Sequence, residues 1–188
     1  MGIKKYELTE ECKEYYGRKL YRIKALIDFN DVKAGDLGGW IEKQENLSHE
    51  GNCWVCGDAK VCGDAKVCGD AWVYGDAEVY GNAWVYGDAW VYGDAKVCGD
   101  AKVYGNAWVY GDAEVYGDAD YTTIKGFGTE YRNTTFFRCK DGAVRVKCGC
   151  FYGTIEEFRE QVNDTREGKI AKEYLMIADL MEYHFAKE

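Results

Sequence analysis

Histidine is scarce in this sequence, and long apolar runs are missing from it. His49 and His184 are the only histidines among 188 residues, which leaves few candidates for acid–base catalysis or metal binding. No stretch approaches the about 18 consecutive apolar residues of a membrane span, and the first residues lack the apolar segment of a secretory signal. We therefore expect a cytoplasmic protein with no membrane partner.

Cysteine and acidic residues, in contrast, are abundant. Nine cysteines occur in the chain, and without an export signal they are expected to be free thiols. The net charge of −9 is concentrated in residues 51–122, where twelve acidic residues accompany four basic ones. Because this charge repels phosphate backbones, it argues against nucleic acid as a partner of that region.

Residues 51–122 are twelve consecutive six-residue repeats of the form Gly-(Asp/Asn)-Ala-x-Val-(Tyr/Cys). Glycine and Asp or Asn in every repeat disfavour a helix, whereas the Ala-x-Val alternation predicts short strands with Ala and Val facing inward. The Gly-Asp and Gly-Asn pairs are suited to corners. Three repeats then close one 18-residue triangular coil of a β-solenoid.

The residue before each valine is expected to point outward, and an 18-residue coil sorts these residues into columns. One column alternates in charge, as parallel neighbours favour: Lys60, Glu78, Lys96 and Glu114. Another is entirely tryptophan, with a tyrosine following two residues later in three of its four repeats. An exposed aromatic patch of this size is unusual for a monomer. It predicts an interface or recognition surface made of Trp54, Trp72, Trp90, Trp108, Tyr74, Tyr92 and Tyr110.

The two ends depart from the repeat, so the chain divides into an N-terminal cap with the first rungs (1–50), the solenoid (51–122) and a C-terminal module (123–188). Within the cap, we expect a short helix at 7–16 and a strand at 20–29. Trp40-Ile41 and Leu47 are interpreted as early rungs, with a two-residue slip before Val55.

The C-terminal module shows local signals of its own. Asp141-Gly142 lies between two apolar segments, 135–140 and 143–148, which predicts a β-hairpin. A capping box at Thr154–Glu157 predicts a helix to about Val162, and apolar spacing predicts a second helix over 169–187. The module either closes the last coil or forms a separate head.

Several segments resemble a known family. The sequence "ALIDFNDVKAGDLGGWIEKQENLSHEGNCWV" and the repeats "GDAKV" and "GNAWVYGDA" resemble the YdcK-type hexapeptide-repeat proteins of bacteria and phages over about 25–122. The resemblance implies a left-handed parallel β-helix, here an all-β solenoid with an N-terminal strand cap and a small C-terminal α+β module. Members are often labelled transferases, but the resemblance implies no catalytic residue. The segment "TTFFRCKDGAVRVKCGCFYGTIEEF" resembles tails of similar proteins from phages and Gram-positive bacteria.

Enzymatic chemistry has little support in these residues. An acyltransferase on this fold generally uses a histidine base and loops that leave the coils, and the repeats contain neither. A zinc site of three histidines needs more than the two present. We therefore predict no catalytic residue and no cofactor.

Three residue sets invite a metal interpretation, and each has a simpler one. Six-residue spacing places Cys56, Cys62 and Cys68 on three different faces, so they cannot share an ion. A zinc site needs a fourth ligand beside three thiolates, and the hairpin offers only Cys139, Cys148 and Cys150. A corner ladder could attract Ca²⁺, but turn chemistry explains the same residues: Asp58, Asp76, Asp94 and Asp112. We predict that metal is dispensable.

These observations favour a non-enzymatic scaffold or binding protein that forms a homotrimer through solenoid faces and presents the C-terminal module for recognition. The phage relatives suggest an accessory protein that binds a host protein, in an anti-defence role. One alternative is a protein that sequesters a small ligand or nucleotide between subunits. The other is an atypical hexapeptide-repeat acyltransferase.

Overall fold

The computed structural model describes residues 3–186, which form a parallel β-solenoid of about four turns with a strand hairpin before it and a small α+β module after it. The chain begins with strands β1 (Tyr6–Tyr15), β2 (Arg18–Ala25) and β3 (Leu37–Ile41), paired antiparallel in sequence order. Strand β3 then pairs in parallel with the solenoid, with Trp40 opposite Lys60. The hairpin is thereby joined to one wall of the solenoid.

Eleven two-residue strands, β4 to β14, form the body of the solenoid, one in each of the first eleven repeats. Every strand consists of the outward residue and the inward valine of its repeat. Their bounds are Trp54–Val55, Lys60–Val61, Lys66–Val67, Trp72–Val73, Glu78–Val79, Trp84–Val85, Trp90–Val91, Lys96–Val97, Lys102–Val103, Trp108–Val109 and Glu114–Val115.

These strands stack into three parallel sheets because each strand pairs with the one three repeats later. We call the sheet of β4, β7, β10 and β13 the aromatic face. The sheet of β5, β8, β11 and β14 is the charged face, and it continues into β3, β2 and β1. The sheet of β6, β9 and β12 is the mixed face. The 18-residue coil predicted from the repeat is confirmed.

The corners depend on glycine for two reasons. Gly75 has φ +74°, in the left-handed region, where a side chain is strained. A Cβ at Gly75 would also lie 3.2 Å from the backbone nitrogen of Gly93 in the next coil. Stacked corners therefore leave no room for a side chain on this side of the backbone.

The interior is a single column of small aliphatic residues. Every inward alanine and valine from Ala59 to Val115 is at most 1% exposed. Backbone hydrogen bonds between coils, such as Trp72 N to Ala89 O at 2.9 Å and Tyr74 N to Val91 O at 3.0 Å, surround this column. The thin core is thus enclosed by a continuous backbone ladder, which satisfies its polar groups.

Two buried polar side chains close the first coils. The Lys5 ammonium donates to the carbonyl oxygens of Gly51 (3.1 Å) and Cys53 (2.8 Å). The Asn46 amide donates to the carbonyl oxygens of Gly63 (3.1 Å) and Ala65 (2.8 Å). Both side chains are at most 1% exposed. They supply donors to carbonyls that have no preceding coil, which is what the open end of a solenoid requires.

Four further strands and two helices follow the repeats. Strands β15 (Tyr121–Phe127), β16 (Arg132–Arg138), β17 (Val144–Cys148) and β18 (Phe151–Thr154) form an antiparallel sheet in that order. Helices α1 (Ile155–Thr165) and α2 (Gly168–Phe185) pack on it. The central hairpin, the Thr154 capping box and both helices confirm the sequence prediction, whereas β15 and β18 were not predicted.

Strand β16 joins the module to the solenoid. Its consecutive residues Phe136 and Phe137 point to opposite sides, as strand geometry requires. Phe137 packs with the solenoid core and Phe136 packs with the helices. The hydroxyl of Thr135 accepts a hydrogen bond from Trp108 N at 3.1 Å. The module therefore closes the last coil, one of the two arrangements expected from the sequence.

The prediction for the N-terminal cap is only partly right. Residues 7–16 are not a helix, since β1 occupies Tyr6–Tyr15 and pairs with β2 on both sides of an irregularity between Leu8 and Cys12. The two strands are connected by Tyr16 and Gly17, both with positive φ (+46° and +73°), as a tight hairpin turn requires. The early rungs are confirmed, because Ile41 pairs with Val61 and Leu47 bridges to Val67.

Candidate interaction surface

The tryptophans of the aromatic face form the stacked column that the spacing predicts. Parallel pairing aligns Trp54, Trp72, Trp90 and Trp108 in consecutive coils. Ring centroids are 6.2 Å apart between Trp72 and Trp90 and 5.7 Å apart between Trp90 and Trp108, with interplanar angles of 25° and 22°. The backbone spacing of the sheet therefore sets the spacing of the rings.

A second column of rings runs beside the first. Tyr74 and Tyr92 stack at 4.8 Å with an interplanar angle of 5°, and Tyr92 and Tyr110 lie 4.4 Å apart. Tyr74 also meets the edge of Trp90 at 5.9 Å. The two columns thus support each other and form one continuous aromatic surface.

Both ends of this surface are covered by the flanking structures. Trp54 is 2% exposed, because Tyr6 and Phe29 pack edge-on against it at 6.3 and 5.3 Å. It belongs to the hydrophobic core, so the accessible tryptophan column has three members rather than four. At the other end, Tyr152 of β18 packs edge-on against Tyr110 at 4.8 Å.

The aromatic surface carries almost no charge. Burial raises the pKa of the Tyr74 hydroxyl, and burial together with the neighbouring Tyr74 and Tyr110 phenols raises the pKa of Tyr92 to about 12. The hydroxyls of Tyr74 and Tyr92 therefore stay neutral at physiological pH. Among the cations of residues 3–186, only the Lys147 ammonium approaches these rings, 5.9 Å from the Trp108 centroid and 5.3 Å from that of Tyr110.

The other two faces differ in chemistry. On the charged face, Lys60 and Glu78 form an ion pair at 3.7 Å with both side chains less than a fifth exposed. The mixed face carries one tryptophan, Trp84, which is 42% exposed. It lies between Lys66 and Lys102, and the Lys66 ammonium is 5.0 Å from its ring centroid. Among the three faces, only the aromatic face presents a continuous uncharged stripe.

Comparisons with known proteins agree with this architecture. The family model described as the YdcK beta solenoid repeat matches residues 77–93. The protein named "Uncharacterized acetyltransferase YdcK" of Escherichia coli (strain K12) is 44% identical over 61 residues, which cover 28% of this chain and 19% of the relative. The repeats of this chain are YdcK-type β-solenoid repeats. The match spans about a fifth of the relative's length.

Neither histidine lies on these YdcK-type repeats. His49 stacks on Tyr6 at 4.3 Å, and its Nδ1 accepts a hydrogen bond from the Lys5 backbone at 3.2 Å. Burial and the neighbouring Lys5 and Lys4 lower the pKa of His49, so its ring is neutral. His184 lies on α2, in the module at the other end of the molecule. The geometry gives His49 a packing role at the start of the solenoid.

The cysteines do not converge. Cys56, Cys62 and Cys68 follow strands of three different sheets, as the spacing predicts. In the C-terminal hairpin, Cys148 pairs with Thr134 near the start of β16, whereas Cys139 follows the end of that strand. Within residues 3–186, no three His, Cys, Asp or Glu side chains are arranged to hold a metal ion.

One of the three corner columns of the solenoid consists only of aspartates, whereas the other two also contain asparagine. In the other two corners, amide side chains relieve the stacked carboxylates, as where Asn82 donates to Asp100 at 2.9 Å and Asn52 donates to Asp70 at 2.8 Å. The column of Asp58, Asp76, Asp94 and Asp112 contains no amide. Its first member accepts a hydrogen bond from the Trp40 indole at 3.3 Å, and Tyr152 donates to its last at 3.2 Å.

No helix in the described part of the chain has the length and apolar character to cross a membrane.

Proposed function

We propose that this chain is a non-enzymatic scaffold that assembles as a homotrimer through its aromatic face and presents the C-terminal module as a recognition element. One observation carries the assembly proposal: six stacked rings form an uncharged stripe, with Trp90 37% exposed at its centre. Tryptophan and tyrosine are the residues most enriched at the centres of protein interfaces. Resemblance of the module to the C-terminal segments of similar proteins from phages suggests a host protein, in an anti-defence role, as its partner.

The stripe is too small to form a standard interface by itself, so a second surface has to contribute to the contact. Six partly covered aromatic side chains offer on the order of 300 Å² of accessible area, whereas a standard interface takes about 800 Å² from each partner. In a cyclic trimer, the surface of one subunit meets a different surface of the next. The mixed face is suited to that role, since Lys66 and Lys102 are exposed and ammonium groups bind tryptophan faces.

Charged substitutions in the column test the assembly. Trp72→Glu and Trp90→Glu place a carboxylate within the stripe, so each is expected to convert the trimer to monomer in light scattering. Trp84→Glu makes the same change at the same repeat position on the mixed face, and the control is Lys96→Glu on the charged face, which has no part in the proposed contact. If the trimer pairs the aromatic face with the mixed face, Trp84→Glu weakens assembly less, since Lys66 and Lys102 neutralise the new charge. A wild-type monomer would contradict the proposal.

The name of the relative supports a second candidate, an acetyltransferase. Acetyl transfer requires a base near the acceptor, and the repeats of this chain contain no histidine. Incubation with acetyl-CoA and a panel of amine and hydroxyl acceptors separates the two candidates. Release of free CoA that depends on an acceptor would replace the scaffold proposal with an enzymatic one.

A cavity beneath the N-terminal hairpin supports a third candidate, sequestration of a small ligand. It has a volume of about 410 Å³ and is lined by Tyr15, Tyr16, Tyr80, Cys62 and Lys96, among others. This volume lies within the about 300–1,000 Å³ typical of small-molecule sites. Mass spectrometry of the purified protein under native and denaturing conditions would reveal a retained metabolite or nucleotide, which the scaffold proposal does not expect.

A further inference from the structure

A small cleft opens on the C-terminal module, away from the solenoid faces. Three segments form it: the turn after β15 with Thr129 and Glu130, the turn between β17 and β18 with Cys148 and Cys150, and the end of α1. Phe151, Phe158 and Tyr174 contribute aromatic lining. The cavity has a volume of about 90 Å³, the room of about three water molecules.

Two arginines lie in this cleft, Arg132 at the start of β16 and Arg166 just after α1. Among residues 3–186, these are the two of the chain's seven arginines that have no carboxylate oxygen within 4.0 Å. The other five each form an ion pair: Arg18 with Glu42, Arg22 with Glu11, Arg138 with Asp120, Arg145 with Asp141, and Arg159 with Asp179 and Glu182. The two guanidinium groups without a carboxylate partner thus line one cleft, and that of Arg166 donates to the Thr165 carbonyl oxygen at 2.8 Å.

The side chains of Arg132 and Arg166 line the same cavity. A Cβ at Gly149 would lie 2.8 Å from Nη1 of Arg132, so this side chain rests against the backbone of the β17–β18 turn. Burial raises the pKa of the Tyr174 hydroxyl, and the positive charges of Arg166 and Arg132 oppose that rise. Both charges therefore act on one hydroxyl in the lining of the cleft.

We propose that this cleft binds an oxyanion group, a phosphate or a carboxylate, between Arg132 and Arg166. Guanidinium groups bind such oxygens through paired, charge-assisted hydrogen bonds. Gln161, Thr165 and Glu130 also line the cleft. The volume admits one such group rather than a whole nucleotide, so the rest of the ligand lies outside the cleft. This inference rests on the recognition role proposed for the module and not on its assembly.

Melting of the full chain in inorganic phosphate or in acetate, at ionic strength held constant with chloride, tests the site. Phosphate or acetate is expected to raise the melting temperature, and the dependence on concentration yields the affinity. A larger rise with phosphate identifies a phosphate ligand, and a larger rise with acetate identifies a carboxylate ligand.

Arg132→Gln and Arg166→Gln are each expected to weaken binding roughly tenfold or more, because each removes a charge-assisted hydrogen bond. Lys172→Gln is the matched control, since it removes one exposed positive charge of α2 that does not line the cleft. If circular dichroism shows that a glutamine variant has lost structure, the corresponding Arg→Lys variant replaces it. It keeps the charge and loses the paired geometry, so it too is expected to bind more weakly.

No rise beyond that in chloride, or equal binding by wild type and the arginine variants, overturns the proposal. Light scattering on the same samples separates it from the assembly proposal. A monomer that binds phosphate contradicts assembly alone, and a trimer that binds neither anion contradicts the cleft alone.

Discussion

The solenoid and the C-terminal module distribute their large side chains in opposite ways. In the solenoid, the interior contains mainly valine and alanine, and the tryptophans and tyrosines between Trp72 and Tyr110 lie outside. In the module, the rings of Phe136, Phe158 and Phe185 lie inside. A coil of 18 residues has room for only small residues at its axis, whereas helices packed on a sheet leave a deep space between layers. The stability of the solenoid therefore depends more on its backbone hydrogen-bond ladder and its outer rings, whereas the stability of the module depends more on its core.

The largest expected loss of stability comes from truncating a core side chain. One such substitution in each of the two cores tests the contrast. Phe158→Ala in the module removes a ring that is 3% exposed, and we expect a loss of about 3–5 kcal/mol in the free energy of unfolding. Val97→Ala in the solenoid removes two methyl-sized groups and is expected to cost about 2 kcal/mol. Denaturant unfolding of both variants measures the difference. A larger cost for Val97→Ala would reverse the comparison.

The next largest loss of stability is expected at the glycine corners, which only the solenoid has. Gly75→Ala combines a positive φ with a Cβ 3.2 Å from Gly93, and we expect a loss of about 2–3 kcal/mol from backbone strain and crowding. Gly105→Ala is the control, because Gly105 has φ +66° with no atom near its Cβ position. It carries the backbone strain alone, about 1–2 kcal/mol. Equal losses in thermal unfolding would show that close stacking of the corners does not matter.

The outer rings predict that the stability of the solenoid depends on pH. Burial and neighbouring phenols raise the pKa of Tyr92 in the folded protein to about 12, above the about 10 of an ordinary tyrosine. The unfolded chain therefore releases this proton first. The stabilising contribution is complete below about pH 10 and declines as the pH rises through the folded pKa.

Melting temperatures of wild type and Tyr92→Phe, measured from pH 8 to 11.5, examine this prediction. The variant cannot ionise at this position, so its melting temperature is expected to fall less steeply above pH 10. Parallel curves for the two proteins would mean that Tyr92 ionises with no penalty.

The smallest expected effect is on the charged face. Lys96 lies between Glu78 and Glu114 in its column, and partly exposed charge pairs contribute about 0–1 kcal/mol. Lys96→Gln should therefore change the free energy of unfolding by less than about 1 kcal/mol and leave assembly intact. A loss as large as that of a core substitution would place this face among the determinants of the fold.

Local signals were sufficient where a residue acts on its own neighbours in sequence. Thr154 accepts a hydrogen bond from Glu157 N at 3.1 Å, as the capping box predicts, and Asp141-Gly142 connects β16 and β17. The N-terminal hairpin escaped prediction because its turn is Tyr16-Gly17 rather than Asn-Gly or Asp-Gly. A tyrosine with φ +46° is tolerated there because pairing along β1 and β2 compensates for the strain.

Most of the aromatic surface could be predicted from the sequence, whereas the cleft could not. The column from Trp72 to Trp108 follows from counting residues, because a fixed repeat converts sequence spacing into a distance. The burial of Trp54 does not, since it depends on how Tyr6 and Phe29 fold over the first coil. Nor does the meeting of Arg132 and Arg166, which are separated by two strands and a helix.

The sequence alone determined the period, the inward and outward residues, the corners and the composition of each face, because every coil repeats the contacts of the one before. The tertiary structure decided how the solenoid ends. Lys5 and Asn46 are buried only because they donate to carbonyls without a preceding coil. Phe136 and Phe137 point to opposite sides of β16, and only the tertiary structure shows that a separate core lies on each side. These contacts join residues far apart in sequence, where no period relates them.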